Sequence, residues 1–83
     1  MEIKLFSMDG CPHCDKLKKL LKENDIEFIE LNIEEHEEYY ESFSKKVDSD
    51  LLPAFIINKT AFVPDKSFKT IDDALIIIKN FIE

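Results

Sequence analysis

Residues 3–21 read IKLFSMDGCPHCDKLKKLL, and a change of spacing inside this stretch decides the architecture. Ile3 and Leu5 alternate with Lys4 and Phe6, which predicts a strand over Glu2 to Ser7 buried mainly on one face. From Cys11 onward Cys14, Leu17, Leu20 and Leu21 share a helical stripe that Lys16, Lys18, Lys19 and Lys22 largely avoid. Met8-Asp9-Gly10 is the turn between them. Gly10 is the sole glycine of the chain and supplies backbone freedom where a strand must bend sharply into a helix. Pro12 fits the first helical position, where a missing N–H costs nothing.

Cys11 and Cys14 are the only cysteines. So short a loop cannot staple a small secreted fold, so the pair is read as present for its reactivity. At a helix start, the unpaired N–H groups and the dipole favour a thiolate at Cys11 and hold its pKa below the ordinary thiol value. Cys14 lies one turn later on the apolar stripe and is expected to be buried and less reactive. The roles that follow are attack by Cys11 on a substrate disulfide, then attack by Cys14 on the mixed disulfide. His13 donates to the thiolate or, when protonated, stabilises it, while Asp9 and Asp15 act in the opposite sense. This chemistry needs no metal and no bound cofactor. Two other readings of the motif stand beside it: half of a zinc site completed by His13 or His36, which lacks a fourth well-placed donor, and an inert packed pair.

Outward from this stretch, Asn24-Asp25 ends the first helix and Ile26 to Leu31 reads as a second strand. His36, Tyr40, Phe43 and Val47 recur at helical spacing, with Glu34, Glu35, Glu37, Glu38 and Glu41 around them, which predicts an amphipathic helix with an acidic outer face. Asp48-Ser49-Asp50 breaks it. Leu51 to Asn58, opened by Pro53, and Thr60 to Val63 form a hairpin about Asn58-Lys59, and Pro64 to Lys69 is loop. Thr70 caps a last helix whose buried stripe is Ile71, Ala74, Leu75, Ile78 and Ile82, widened by Ile77 and Phe81. The order βαβ, helix, ββ, helix predicts an α/β fold, with strands one and two parallel through a right-handed crossover, an antiparallel hairpin in the same sheet, and helices on both faces.

The chain has 83 residues, room for one domain spanning 1–83. Eleven Lys and no Arg stand against 18 acidic residues, and a net charge of -7 repels a phosphate backbone, which argues against nucleic acid as a partner. A charged fraction of 35% argues against a membrane span. The sequence opens without a basic region, apolar run and small-residue cleavage site, so the expected location is cytoplasmic. Tyr39-Tyr40 is read as one core ring and one edge ring, without function. The Glu34 to Glu41 run is read as a solvated face, with selection of basic partners or exclusion of acidic ones as the alternative, and Lys16, Lys18, Lys19 and Lys22 are placed to attract acidic partners or glutathione.

Cys11-Pro12-His13-Cys14 after a first strand, together with Leu52-Pro53 opening the third, resembles the thioredoxin superfamily, and the short length looks more like glutaredoxins than full-length thioredoxins. The resemblance covers essentially the whole chain in element order. It implies a thioredoxin-like, glutaredoxin-sized fold of βαβ-α-ββ-α order, with a four-stranded mixed sheet and three helices. It implies that Cys11 is the nucleophile and that a cis peptide precedes Pro53 beside the sulfurs. A cis bond there turns the backbone of Leu52 toward the groove next to Cys11, where an extended substrate pairs with it; a strand-initiating trans proline is the alternative.

The family's lysine before the first cysteine is Met8 here, and its glycine pair before the last helix falls on Lys69-Thr70-Ile71, ahead of Asp72-Asp73. The Thr70 cap, the amides of Ile71 and Asp72, and Lys69 remain suited to a carboxylate, so glutathione is a candidate co-substrate. The expected function is reduction of protein or glutathione mixed disulfides by a monomer, with glutathione or a thioredoxin-reductase-type reductant supplying electrons. The alternatives are a noncatalytic binding module and a metal or iron–sulfur carrier in which two chains share Cys11.

Overall fold

The first strand, β1 (Ile3–Ser7), is the hinge of the architecture because both of its faces are buried. A computed structural model describes residues 2–82 of the chain; Met1 and Glu83, the ends of the expected 1–83 domain, lie outside the described residues. After β1 come α1 (Pro12–Glu23), β2 (Ile29–Asn32), α2 (Glu37–Val47), β3 (Ala54–Ile57), β4 (Thr60–Phe62) and α3 (Ile71–Ile82). The sheet order is β2-β1-β3-β4, with β1 parallel to β2 and antiparallel to β3, and β4 antiparallel to β3. This is the α/β fold that the element order predicts, in the four-stranded mixed-sheet arrangement that the resemblance to the thioredoxin superfamily implies.

Two cores follow from the pleat of β1. Ile3 and Leu5 point with Phe55 and Ile57 toward Leu17 and Leu21 of α1 and Ile71, Ala74 and Ile78 of α3. Phe6 points the other way, joining Leu31, Ala54 and Val63 beneath Phe43 of α2. The expectation of a strand buried mainly on one face is corrected here. Phe6 is fully buried, with ring centroids 5.4 Å from Tyr40 and 4.6 Å from Phe43.

Other boundaries move for identifiable reasons. Ile26 to Phe28 are outside β2 because α1 ends in a Schellman motif: Asp25 takes φ 55°, its N–H bonds to Lys22, and the N–H of Ile26 bonds back to Leu21 at 2.9 Å. Ile26 and Phe28 pack on the first core from outside the ladder. His36 is the residue before α2 and is exposed, so it does not join the buried stripe. Leu51 to Pro53 precede β3, and Val63 follows β4. Ile82 and Phe81 remain 47% and 43% exposed, although the Phe81 ring meets Phe62 edge-on. Among the described residues, no helix is long and apolar enough to cross a membrane.

Candidate active site

The turn before α1 delivers Cys11 to the end of the sheet. Gly10 adopts φ +75°, a left-handed conformation in which L side chains are strained, and Cys11 follows in extended backbone as the N-cap of α1. Pro12 then begins the helix. The N–H of Cys14 donates to the Cys11 sulfur at 3.2 Å, so the sulfur takes the place of a capping oxygen, and the N–H of Asp15 closes the turn on the Cys11 carbonyl at 3.0 Å. Cys11 is half-buried and Cys14 is fully buried. The two are joined as a disulfide, with Cα atoms 5.3 Å apart.

Beside the turn runs a groove of about 400 Å³. His13 and Lys16 of α1 line one side; Leu51, Leu52, Pro53, Pro64, Asp65, Phe68, Lys69, Thr70 and Ile71 complete it. The Leu52–Pro53 bond is cis, as the resemblance implies, and Pro53 is buried. Thr70 caps α3 by accepting the N–H of Asp73 at 3.1 Å. His13, Leu52, Pro53, Thr70 and Ile71, singled out from the sequence, thus meet in one groove. Asp72 does not: it is exposed in the first turn of α3 and is not among the lining residues.

Leu51, Pro64, Asp65 and Phe68 were not anticipated as lining residues. A turn with Asp65 at φ 69°, closed by Asp65 N–H to Phe68 at 2.8 Å and Ser67 N–H to Val63 at 2.9 Å, folds Phe68 back against Phe55. The one sequence signal was a single aromatic within an otherwise polar loop.

Behind the site, the Ser7 hydroxyl and the Lys18 ammonium both donate to one carboxylate oxygen of Glu30 at 2.8 Å, and Lys18 also lies 3.4 Å from Asp15. The Lys18 ammonium, aided by the Ser7 hydroxyl, holds the Glu30 carboxyl below its usual range, and Glu30 in turn raises the pKa of Lys18. Asn32 donates to Asp9 at 3.3 Å, tying the turn before Cys11 to the end of β2. Of the four lysines on α1, Lys16 faces the groove whereas Lys18 is engaged by Glu30 and Asp15. Among the described residues, no group of three or more His, Cys, Asp or Glu converges as a metal-binding cluster.

The glutaredoxin family model matches residues 3–62. Among solved structures, the thioredoxin-like protein BC3987 is similar at TM-score 0.72 and 18% identity, over 92% of this chain and 99% of that one. The glutaredoxin-like NrdH-redoxin from Escherichia coli is similar at TM-score 0.70 and 18% identity, over 88% and 93%. Wheat glutaredoxin is similar at TM-score 0.70 and 20% identity, over 94% and 69%. No curated protein matches the chain.

Proposed function

The chain belongs to the glutaredoxin family, a thiol–disulfide oxidoreductase with a Cys11–Cys14 pair, and on that premise we propose that it reduces disulfides in proteins and mixed disulfides with glutathione. The observation that carries this reading is the position of the Cys11 sulfur as N-cap of α1 with Cys14 buried one turn behind it. The thiolate of Cys11 attacks one sulfur of the substrate disulfide; the S–S bond breaks, one substrate thiolate leaves and takes a proton, and a Cys11–substrate disulfide forms. Cys14 then loses its proton and attacks the Cys11 sulfur, expelling the second substrate thiolate. Two electrons have passed to the substrate, and the protein is left as the Cys11–Cys14 disulfide.

The groove supplies the binding surface. Its apolar residues Leu51, Leu52, Pro53, Phe68 and Ile71 suit the flanks of an extended polypeptide, and the Leu52 backbone is the natural strand-like partner for it. Lys16, Lys69 and the capped start of α3 favour a carboxylate, which supports glutathione as co-substrate. Glutathione or a thioredoxin-reductase-type reductant returns the two electrons, and the protein works as a cytoplasmic monomer in electron transport.

Paired variants test this. Cys11→Ser abolishes turnover of a protein disulfide, and Cys14→Ser accumulates a mixed disulfide that dithiothreitol releases. Partners retained without a covalent bond by both variants would instead establish a noncatalytic binding module.

A further inference from the structure

Two of the three stretches that line the groove, Leu51 to Pro53, which follow α2, and Pro64 to Ile71, which lead into α3, extend beyond the paired strands β3 and β4 and share no ladder of their own; His13 and Lys16 of α1 are the third. Lys66 belongs to the second stretch, is itself exposed, and is not among the lining residues. Its ammonium donates to the carbonyl of Val47 at 2.6 Å and to that of Asp48 at 2.9 Å. Among the described residues, these are the hydrogen bonds that join segment 47–53 to segment 63–70.

The acceptors are not arbitrary. α2 ends on a residue in left-handed backbone, Asp48 at φ 53°, with the N–H groups of Asp48 and Ser49 both bonded back to the Ser44 carbonyl, the latter at 3.1 Å. Val47 and Asp48 offer carbonyls that the helix leaves unpaired at its negative end, where a cation is favoured. Lys66 therefore clamps the loop before α3 onto the end of α2, just ahead of Leu51.

We propose that Lys66 is a positioning residue for substrate: it fixes the spacing of the two groove walls and so sets affinity for the polypeptide flanking the target disulfide, without taking part in exchange at sulfur. The proposal rests on the reading of the groove as the substrate site. Without the ammonium, water pairs with the exposed carbonyls, so the fold survives on the β3–β4 ladder and the second core while the walls lose the hydrogen bonds that join them beyond the ladder. The cost then falls on binding, which appears in KM, and spares the chemical step.

The experiment compares Lys66→Met and Lys66→Arg with the parent on a protein disulfide and on a small dialkyl disulfide lacking peptide flanks. Lys66→Met is expected to raise KM for the protein about five-fold, with kcat and the small-disulfide rate unchanged, while Lys66→Arg, which keeps a cationic donor, stays within about twofold of the parent. Amide exchange, read independently of turnover, is expected to quicken at 49–52 and 65–70 together in Lys66→Met. An unchanged KM, an equal loss on the small disulfide, a Lys66→Arg variant as impaired as Lys66→Met, or exchange unaltered at both walls would overturn the proposal. A parent that reduces neither substrate sinks the proposed function instead, and the exchange measurement still decides whether Lys66 joins the walls.

Discussion

The backbone N–H of Cys14 points at the sulfur of Cys11 across 3.2 Å, so that the atom expected to attack substrate is also the atom that caps α1. The position is delivered by β1 and its turn and enforced by Pro12, and its chemical consequence is local. Partial positive charge at the helix start stabilises an anion on Cys11, while the complete burial of Cys14 opposes one there.

The turn that sets this position depends on Gly10 at φ +75°, where a Cβ would meet nothing within 4 Å. The cost of substitution is therefore one of backbone conformation and not of crowding. Gly10→Val is expected to lower stability by about 1–2 kcal/mol and Gly10→Asn by clearly less, as read from urea midpoints. The chain shows the same preference elsewhere, since Asp25, Asp48, Asn58 and Asp65 hold its other positive-φ positions among the described residues. Equal losses in the two variants would remove this account of the turn.

Phe6 anchors the second core, fully buried among Tyr39, Tyr40 and Phe43. Phe6→Ala should cost about 3–5 kcal/mol, the range for truncating a buried aromatic side chain. Equilibrium denaturation checks this, and a loss below about 1 kcal/mol would mean that α2 does not rest on this ring.

Acid sensitivity should concentrate at Glu30. Its carboxyl titrates below its ordinary value of 4.5 because Lys18, and then Ser7, bond its ionised form. A lowered folded-state pKa contributes stability above the unfolded value, and that contribution disappears as pH falls through the folded value. Stability should thus decline below about pH 4.5, and Glu30→Gln should flatten that decline relative to the parent. Denaturant midpoints between about pH 6 and pH 3 measure it, and identical acid slopes for parent and variant would contradict the assignment.

Much of this was legible in the sequence because local rules and tertiary structure agree. Pro12 and Thr70 mark the helix starts where they stand, the order of elements fixes the crossover, and the Cys11–Cys14 spacing forecasts one exposed-side sulfur and one buried sulfur. What was not legible depends on partners distant along the chain. The burial of Phe6 needs α2 above it, and a residue between Leu5 and Ser7 carries no mark of which face a later helix will cover. Ile26 and Phe28 have strand-like composition, yet the Schellman end of α1 commits the N–H of Ile26 to Leu21. Phe68 reaches the groove only through the turn at Asp65, and Lys66 acquires its role from carbonyls at the far end of α2.

The most direct test of the central claim is the pH dependence of alkylation of the fully reduced protein, with each sulfur followed by mass spectrometry. The account predicts that iodoacetamide modifies Cys11 first, with a midpoint well below the free-cysteine value of about 8.5, while Cys14 stays protected until the protein unfolds. A Cys11 midpoint at or above that value, or equal rates at the two sulfurs, would contradict it.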